Sequence, residues 1–279
     1  MITGMTKIVG IFGYPIEHTL SPFMHNAAFE ALGLDYCYIP FSVHPDNLRS
    51  AAAAIRILNI VGVNITIPHK EAIIPYLDGL DREAELIGAV NTVLNKDGKL
   101  IGYNTDGRGF IKSLKEEGGV NPKGESVMII GAGGAARAIA FSLAIEGVDK
   151  IFINDIISEK AKELSCAVST KTSTEAIHIK DLKEGIGETD VLINATPLGM
   201  KKKDPLPIAT DLLSQGLFVY DIVYNPPETS LLREAKKRCS KTLGGLGMLL
   251  YQGALSFKIW TGIEPPVDVM RKAIESKIV

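Results

Sequence analysis

The feature that most constrains the fold is a junction. Val127-Met128-Ile129-Ile130, apolar at every position, runs into Gly131-Ala132-Gly133-Gly134-Ala135-Ala136 and on into the helix-forming stretch Arg137 to Ile145. A strand with no polar alternation has to be covered on both faces, as the strands of parallel sheets are. Followed by glycines and then by helix formers, it reads as strand, turn, helix. Gly131 permits the tight turn, Gly133 lets the main chain approach a pyrophosphate, and the small Ala136 allows the helix to pack closely on the strand. Free N–H groups and the positive end of the helix dipole would then face the phosphates. Two readings stay open: Gly131, Ala132, Gly133, Gly134 and Ala135 cradle a dinucleotide or related nucleotide, or the glycines are steric necessities of a turn.

Other short Ile- and Val-rich runs recur with helical stretches between them, the βαβ rhythm of a parallel sheet covered by helices, so the fold class is α/β. A first series places strands near Ile8 to Phe12, Tyr36 to Val43, Gly62 to Ile67 and Val90 to Leu94, with helices over Pro22 to Leu32 and Asp46 to Leu58. Ser21 reads as the N-cap of the first helix, with Pro22 at its first position. A second series places strands at Val127 to Ile130, Lys150 to Asn154, Val191 to Ala195 and Leu217 to Ile222, and helices follow over Met248 to Thr261 and Pro266 to Ile278. At 279 residues the chain suggests about two domains, and Glu116 to Glu125, with Gly118, Gly119, Pro122 and Gly124, reads as the linker.

Composition narrows the partners. With 46% hydrophobic and 22% charged residues and a formal net charge of −2, nothing points to nucleic acid or an anionic membrane surface. No apolar run reaches the roughly 18 residues of a membrane span, and Met1 to Lys7 lacks the pattern of a secretory leader. Cys37, Cys166 and Cys239 lie far apart and are odd in number, which reads as reduced packing thiols in a cytoplasmic protein. There is no Gly-x-Ser-x-Gly, no His-Glu-x-x-His and no expected metal.

The strand Lys150 to Asn154 ends at Asp155, 24 residues after Gly131. An acidic residue there hydrogen-bonds the adenosine ribose and repels a 2′-phosphate. Ile156, Ile157, Ser158 and Glu159 offer no arginine to pair with that phosphate, and Lys160 is the only nearby cation. The local chemistry favours NAD over NADP; the alternative is that Asp155 only caps the following helix.

Polar clusters interrupt the first series where parallel strands would end: Tyr14 to Ser21, Asn64 to Lys70, Asn91-Thr92 and Asn104 to Gly107. Together they offer hydroxyls, amides, a cation and a carboxylate, suited to a small ligand with several hydroxyls and a carboxylate. The run Pro-Ile-x-His-x-x-Ser-Pro-x-Met-His-Asn spans Pro15 to Asn26. With Asn-x-Thr-x-Pro-x-Lys at Asn64 to Lys70, Gly88-Ala89-Val90-Asn91-Thr92, Asn104-Thr105-Asp106-Gly107, Asn194-Ala195-Thr196, Tyr220-Asp221 with Tyr224, and Gly245-Leu246-Gly247-Met248 with Gln252, the chain resembles the shikimate dehydrogenase family, including quinate/shikimate dehydrogenases.

The resemblance implies reversible reduction of 3-dehydroshikimate to shikimate with a nicotinamide dinucleotide, on the path to aromatic amino acids. It implies Lys70 and Asp106 as the catalytic pair, because the carbinol oxygen gains or loses a proton as hydride moves. Lysine can serve if its ordinary pKa of about 10.4 is lowered by its site. It implies substrate contacts from Thr19, Ser21, Thr66, Asn91, Tyr224 and Gln252, and Asn154, Asp155, Ile222 and Gly245 beside the glycine turn at the cofactor. It implies two open α/β domains with a cleft between them: 1–106 plus 244–279 for substrate and catalysis, and a Rossmann-type dinucleotide domain over 107–243. A homodimer stays open. Two departures stand out: Thr19 replaces a serine of the family's Ser-x-Ser pair, which bears on quinate against shikimate, and Asp155 stands where NADP-using members place an arginine. NADP is the family's default; Asp155 favours NAD. The rivals are an NAD-dependent quinate/shikimate dehydrogenase and a non-catalytic sensor of the same fold, which would lack Lys70 or Asp106.

Overall fold

The computed structural model describes residues 2–238 and 240–278, so Cys239 lies outside the described residues. The chain divides into two compact units, one running to Thr105 and resuming over Leu250–Lys277, the other Asp106–Leu249. Asp106 and residues 244–249 thus belong with the second unit, against the expected 1–106 plus 244–279. The reason is packing: Asp106 opens a helix whose Gly107 lies against Ala138 and Ser142.

The first unit contains β1 (Lys7–Gly13), α1 (Ser21–Ala31), β2 (Tyr36–Ser42), α2 (Leu48–Ile57), β3 (Gly62–Ile65), β4 (Gly79–Leu80), α3 (Arg82–Ile87), β5 (Thr92–Lys96) and β6 (Lys99–Tyr103). They form one sheet in the order β2-β1-β3-β5-β6-β4. β1 is parallel to β2 and β3, whereas β3 with β5 and β5 with β6 are antiparallel. The expected parallel sheet is therefore mixed in this half, and the strand placed at Val90 to Leu94 begins two residues later. β5 already runs against β3, and a two-residue hairpin at Asp97-Gly98, both with positive φ (53° and 84°), the backbone that Asp-Gly favours between antiparallel strands, makes the second reversal, from β5 to β6. Its core gathers Ile55, Val63, Ile65, Val90, Val93 and Leu100. Ser21 is not a cap: it is the first helical residue, Leu20 holds the capping position without a side-chain bond, and Pro22 follows in the first turn.

The second unit contains α4 (Asp106–Glu116), β7 (Ser126–Ile130), α5 (Gly134–Glu146), β8 (Lys150–Asn154), α6 (Ser158–Lys171), β9 (Glu175–His178), β10 (Val191–Asn194), β11 (Phe218–Asp221), α7 (Ser230–Lys237) and β12 (Lys241–Gly244). Its sheet, β12-β11-β10-β7-β8-β9, is parallel throughout. Read from β9, this is the doubly wound order 3-2-1-4-5-6, with its switch point between β7 and β10. The glycine-rich segment expected to link domains instead joins α4 to β7 inside this unit.

In chain order α8 (Leu246–Thr261) leads back to the first unit, where α9 (Val267–Glu275) closes the fold. Trp260 of α8 donates to the Val93 carbonyl at 3.1 Å. Among the described residues no helix is long and apolar enough to cross a membrane. Cys37 is half-buried in β2, but Cys166 is exposed on α6, so it is not the packing thiol the sequence suggested.

Candidate functional site

In the first unit, the loop after β3 carries Thr66 and Lys70, both half-buried. Its backbone is tied at several points. Thr66 N–H donates to the Phe12 carbonyl and His69 N–H to Thr66, while the Lys70 carbonyl accepts from Val90 N–H at 2.8 Å. The buried His69 ring adds a 2.7 Å contact between Nε2 and the Val43 carbonyl. Lys70 thus projects from a fixed main chain.

The β5–β6 hairpin brings two of the sequence clusters together, since Asn91 precedes β5 and Thr105 follows β6. Asn91 Oδ1 accepts from Thr105 N–H at 2.8 Å, and Asn91 Nδ2 donates to Thr105 Oγ1 at 2.8 Å and to Gln252 Oε1 at 3.2 Å. Beneath them Asn64 Nδ2 donates to the Asn91 carbonyl, Thr92 Oγ1 and Ser256 Oγ, and Asn64 Oδ1 accepts from the Tyr38 hydroxyl at 2.7 Å. Burying so many polar groups is tolerable only because each finds a partner. Asn104 is pinned by its amide to the Ala89 carbonyl, and Asp106, buried, follows Thr105 directly as the first residue of α4. Ser21 is buried at the start of α1, its N–H donating to Thr19 Oγ1 at 3.3 Å.

One buried polar ring in this unit lacks such a partner. His25, fully buried, has no hydrogen bond to either ring nitrogen among the described residues. It stacks on Tyr38 at 4.4 Å between ring centroids and lies near Phe257 and Trp260. Burial lowers its pKa to about 3, so it stays neutral.

In the second unit the glycine turn sits at the carboxyl end of β7. Gly131 has φ +112°, and a Cβ there would press on the Ala195 carbonyl oxygen at 2.8 Å. Gly133 is different: it holds the capping position of α5 without a side-chain cap, and a Cβ would meet nothing within 4 Å. Open space before an uncapped helix N-terminus, with main-chain N–H groups at Gly134 and Ala135, fits a dinucleotide pyrophosphate. Asp155 is drawn to this turn, accepting from Ala132 N–H at 2.7 Å and Ile157 N–H at 2.8 Å. The second bond closes a local turn ahead of α6, whose capping position is held by Ile157 with no side-chain cap, so Asp155 does not take the capping role the sequence offered; the first ties Asp155 to the glycine turn. Asn154 faces elsewhere, its amide donating to the Ile179 and Lys180 carbonyls. Its main-chain carbonyl, however, accepts from Gly131 N–H at 2.7 Å.

Around the switch point, Asp221 is fully buried, and burial pushes its carboxyl up against the opposing pull of Thr229 Oγ1 (2.6 Å), Val223 N–H (3.1 Å) and Asn194 Nδ2 (2.9 Å). These bonds shape the turn that carries Ile222 and Tyr224, whose phenol is raised by desolvation. Gly245 donates to the Val223 carbonyl at 3.2 Å and lies so close to the Ile222 carbonyl that no side chain fits. Ile222 and Gly245, distant in sequence, are therefore neighbours. Among the described residues no cluster of His, Cys, Asp and Glu could hold a metal ion.

Two participants escaped the sequence reading. Ser256 lies four residues after Gln252, on the same helix face, which is the signal that could have found it. Tyr38 carried no signal, being an aromatic residue in an apolar strand.

Three family models match: the shikimate dehydrogenase substrate binding domain over residues 11–93, shikimate/quinate 5-dehydrogenase over 113–203, and the shikimate 5′-dehydrogenase C-terminal domain over 245–275. The chain is 49% identical to a shikimate dehydrogenase (NADP(+)) of Desulforamulus reducens, over 99% of this chain and 97% of that protein. It superposes with a TM-score of 0.93 on a shikimate dehydrogenase crystallised in complex with NADP+, at 46% identity, covering 100% of this chain and 98% of the other. A shikimate 5-dehydrogenase from Listeria monocytogenes, in complex with shikimate and NAD, gives 0.89 at 42% identity, with 97% of each chain covered.

Proposed function

The chain belongs to the shikimate dehydrogenase family, and from that premise we propose that it catalyses the reversible reduction of 3-dehydroshikimate to shikimate with a nicotinamide dinucleotide, in the cytoplasm. The observation that carries the reading is the buried set of Asn91, Thr105 and Gln252, whose amides and hydroxyl are held in one arrangement, with Asp106 directly after Thr105 in the chain. Such a set suits a ring bearing several hydroxyls. We assign substrate recognition to the first unit through Thr19, Ser21, Thr66, Asn91 and Gln252, with Tyr224 as a further contact. The dinucleotide is assigned to the second unit.

A bound dinucleotide would supply or take up the hydride at the ring carbon that bears the reacting oxygen. That oxygen gains a proton on reduction and loses one on oxidation. Lys70 is assigned to hold or move this proton, and Asp106 to orient it. The tethered backbone on either side of Lys70 supports the role, since a proton carrier works only when its position is fixed.

NAD is the better cofactor in this reading. Asp155 places a carboxylate at the turn through Ala132, where an adenosine ribose can donate to it and a 2′-phosphate would be repelled. The flanking Ile156 is fully exposed and offers the phosphate no charge. The test is steady-state oxidation of shikimate and of quinate, each with NAD+ and with NADP+. Turnover of shikimate with a lower KM for NAD+ is expected. Failure to oxidise shikimate with either dinucleotide ends the reading; a lower KM for NADP+ overturns only the cofactor preference, and faster turnover of quinate moves the substrate to that acid.

A further inference from the structure

The polar set that faces the proposed substrate is itself held from behind. An amide presents a donor on one side and an acceptor on the other, and recognition of a hydroxylated ring depends on which end faces it. For Asn91 the choice is fixed by Thr105, whose main-chain N–H can only donate and lies 2.8 Å from Oδ1. Nδ2 is therefore the donor end, and its bond to Gln252 Oε1 orients that second amide in turn.

Thr92 connects this pair to the rest of the unit. Its hydroxyl lies 3.1 Å from the same Asn91 Oδ1, accepts from Asn64 Nδ2 at 3.1 Å, and bonds Ser256 Oγ at 2.7 Å. Ser256 in turn donates to the Gln252 carbonyl at 3.0 Å, one helical turn back on α8. Both hydroxyls are completely buried. One side chain on β5 thus ties Asn91, next to it in sequence, to the helix that carries Gln252, more than 150 residues away.

We propose that Thr92, backed by Ser256, is a positioning residue for substrate recognition: it holds the Asn91 amide, whose donor and acceptor ends Thr105 fixes, in place against the helix that carries Gln252, without touching substrate. The role rests on the function proposed above. Removing the hydroxyl takes away the group that joins Asn91 Oδ1 to Ser256 Oγ and so loosens Asn91 against α8, a penalty felt in substrate binding and not in binding of the dinucleotide.

The test compares Thr92→Val, which keeps size and β-branching, with Thr92→Ser, which keeps the hydroxyl. Thr92→Val should raise the KM for shikimate about tenfold, the scale of one or two neutral hydrogen bonds. The KM for the dinucleotide should stay within about twofold and kcat should change less than KM, while Thr92→Ser should return close to the parent. A purely structural residue would lower the melting temperature of Thr92→Val and leave the KM of the folded fraction untouched; a shikimate KM within twofold of the parent overturns the role. If Thr92→Val does not fold, Ser256→Ala decides by the same readout, with a rise of about threefold expected and an unchanged KM fatal. A parent protein that does not oxidise shikimate overturns function and role together, whereas an active parent with indifferent variants overturns the role alone.

Discussion

The two sheets meet the same task in opposite ways. The first unit ends its strands in side chains: amides, hydroxyls and a lysine on a mixed sheet, bonded to one another under the surface. The second ends its strands in backbone, a parallel sheet whose glycine turn offers space and N–H groups. Side chains can match the hydroxyl pattern of one ring, whereas main-chain donors at a helix N-terminus suit any pyrophosphate. In the function proposed above, specificity would reside in one unit and general affinity in the other, with Asp155 as the side chain that would add discrimination to the second.

The sharpest way to break this contrast is Lys70→Ala. It should lower kcat for shikimate by 100-fold or more, on the order of what a positioned acid–base group supplies, while calorimetric titration finds dinucleotide affinity unchanged. A matching loss of dinucleotide binding would mean the two units do not divide the work.

The next effect is confined to the stability of the first unit. His25 takes up a proton near pH 6.5 when unfolded but only near about 3 when folded, so stability falls as pH drops through that window. His25→Phe removes this term. Between pH 7 and 4.5, urea unfolding should show the variant losing about 2–3 kcal/mol less than the parent, at about 1.4 kcal/mol per pH unit below 6.5. Parallel losses would show that the imidazole is not the group responsible.

Gly131→Ala probes the backbone side. Its φ of +112° and the nearby Ala195 carbonyl should cost about 1–3 kcal/mol of stability. It should also raise the KM for the dinucleotide while leaving that for shikimate in place; a rise for shikimate alone would contradict the assignment of the turn.

Legibility in the sequence followed the same divide. The second unit was readable because strand, turn and helix are adjacent along the chain, from Val127 through Ile145. The first was misread where its pairing reversed direction. Asp97-Gly98 was the available sign of a hairpin, overlooked inside a series that looked parallel, and β6 was missed with it. Ser21 looked like a cap by composition, yet the helix begins at Ser21 itself. Asp155 admitted a ribose contact or a cap from sequence; its bonds go to the main-chain N–H groups of Ala132 and Ile157, and the helix that follows has no side-chain cap.

What the sequence determined by itself was the inventory: an α/β fold, a glycine turn between strand and helix, and motifs that carry the resemblance to one family. These rest on local chemistry, the periodicity of apolar residues and the conformational freedom of glycine, which need no knowledge of distant contacts. Only the tertiary structure decided how the pieces in each unit are held. The hairpin sets Thr105 against Asn91, and α8 returns to place Ser256 beside Thr92 across a separation of 164 residues. Hydrogen bonds act over about 3 Å whatever the distance along the chain, so their partners are chosen by the fold and leave no periodic trace in the sequence.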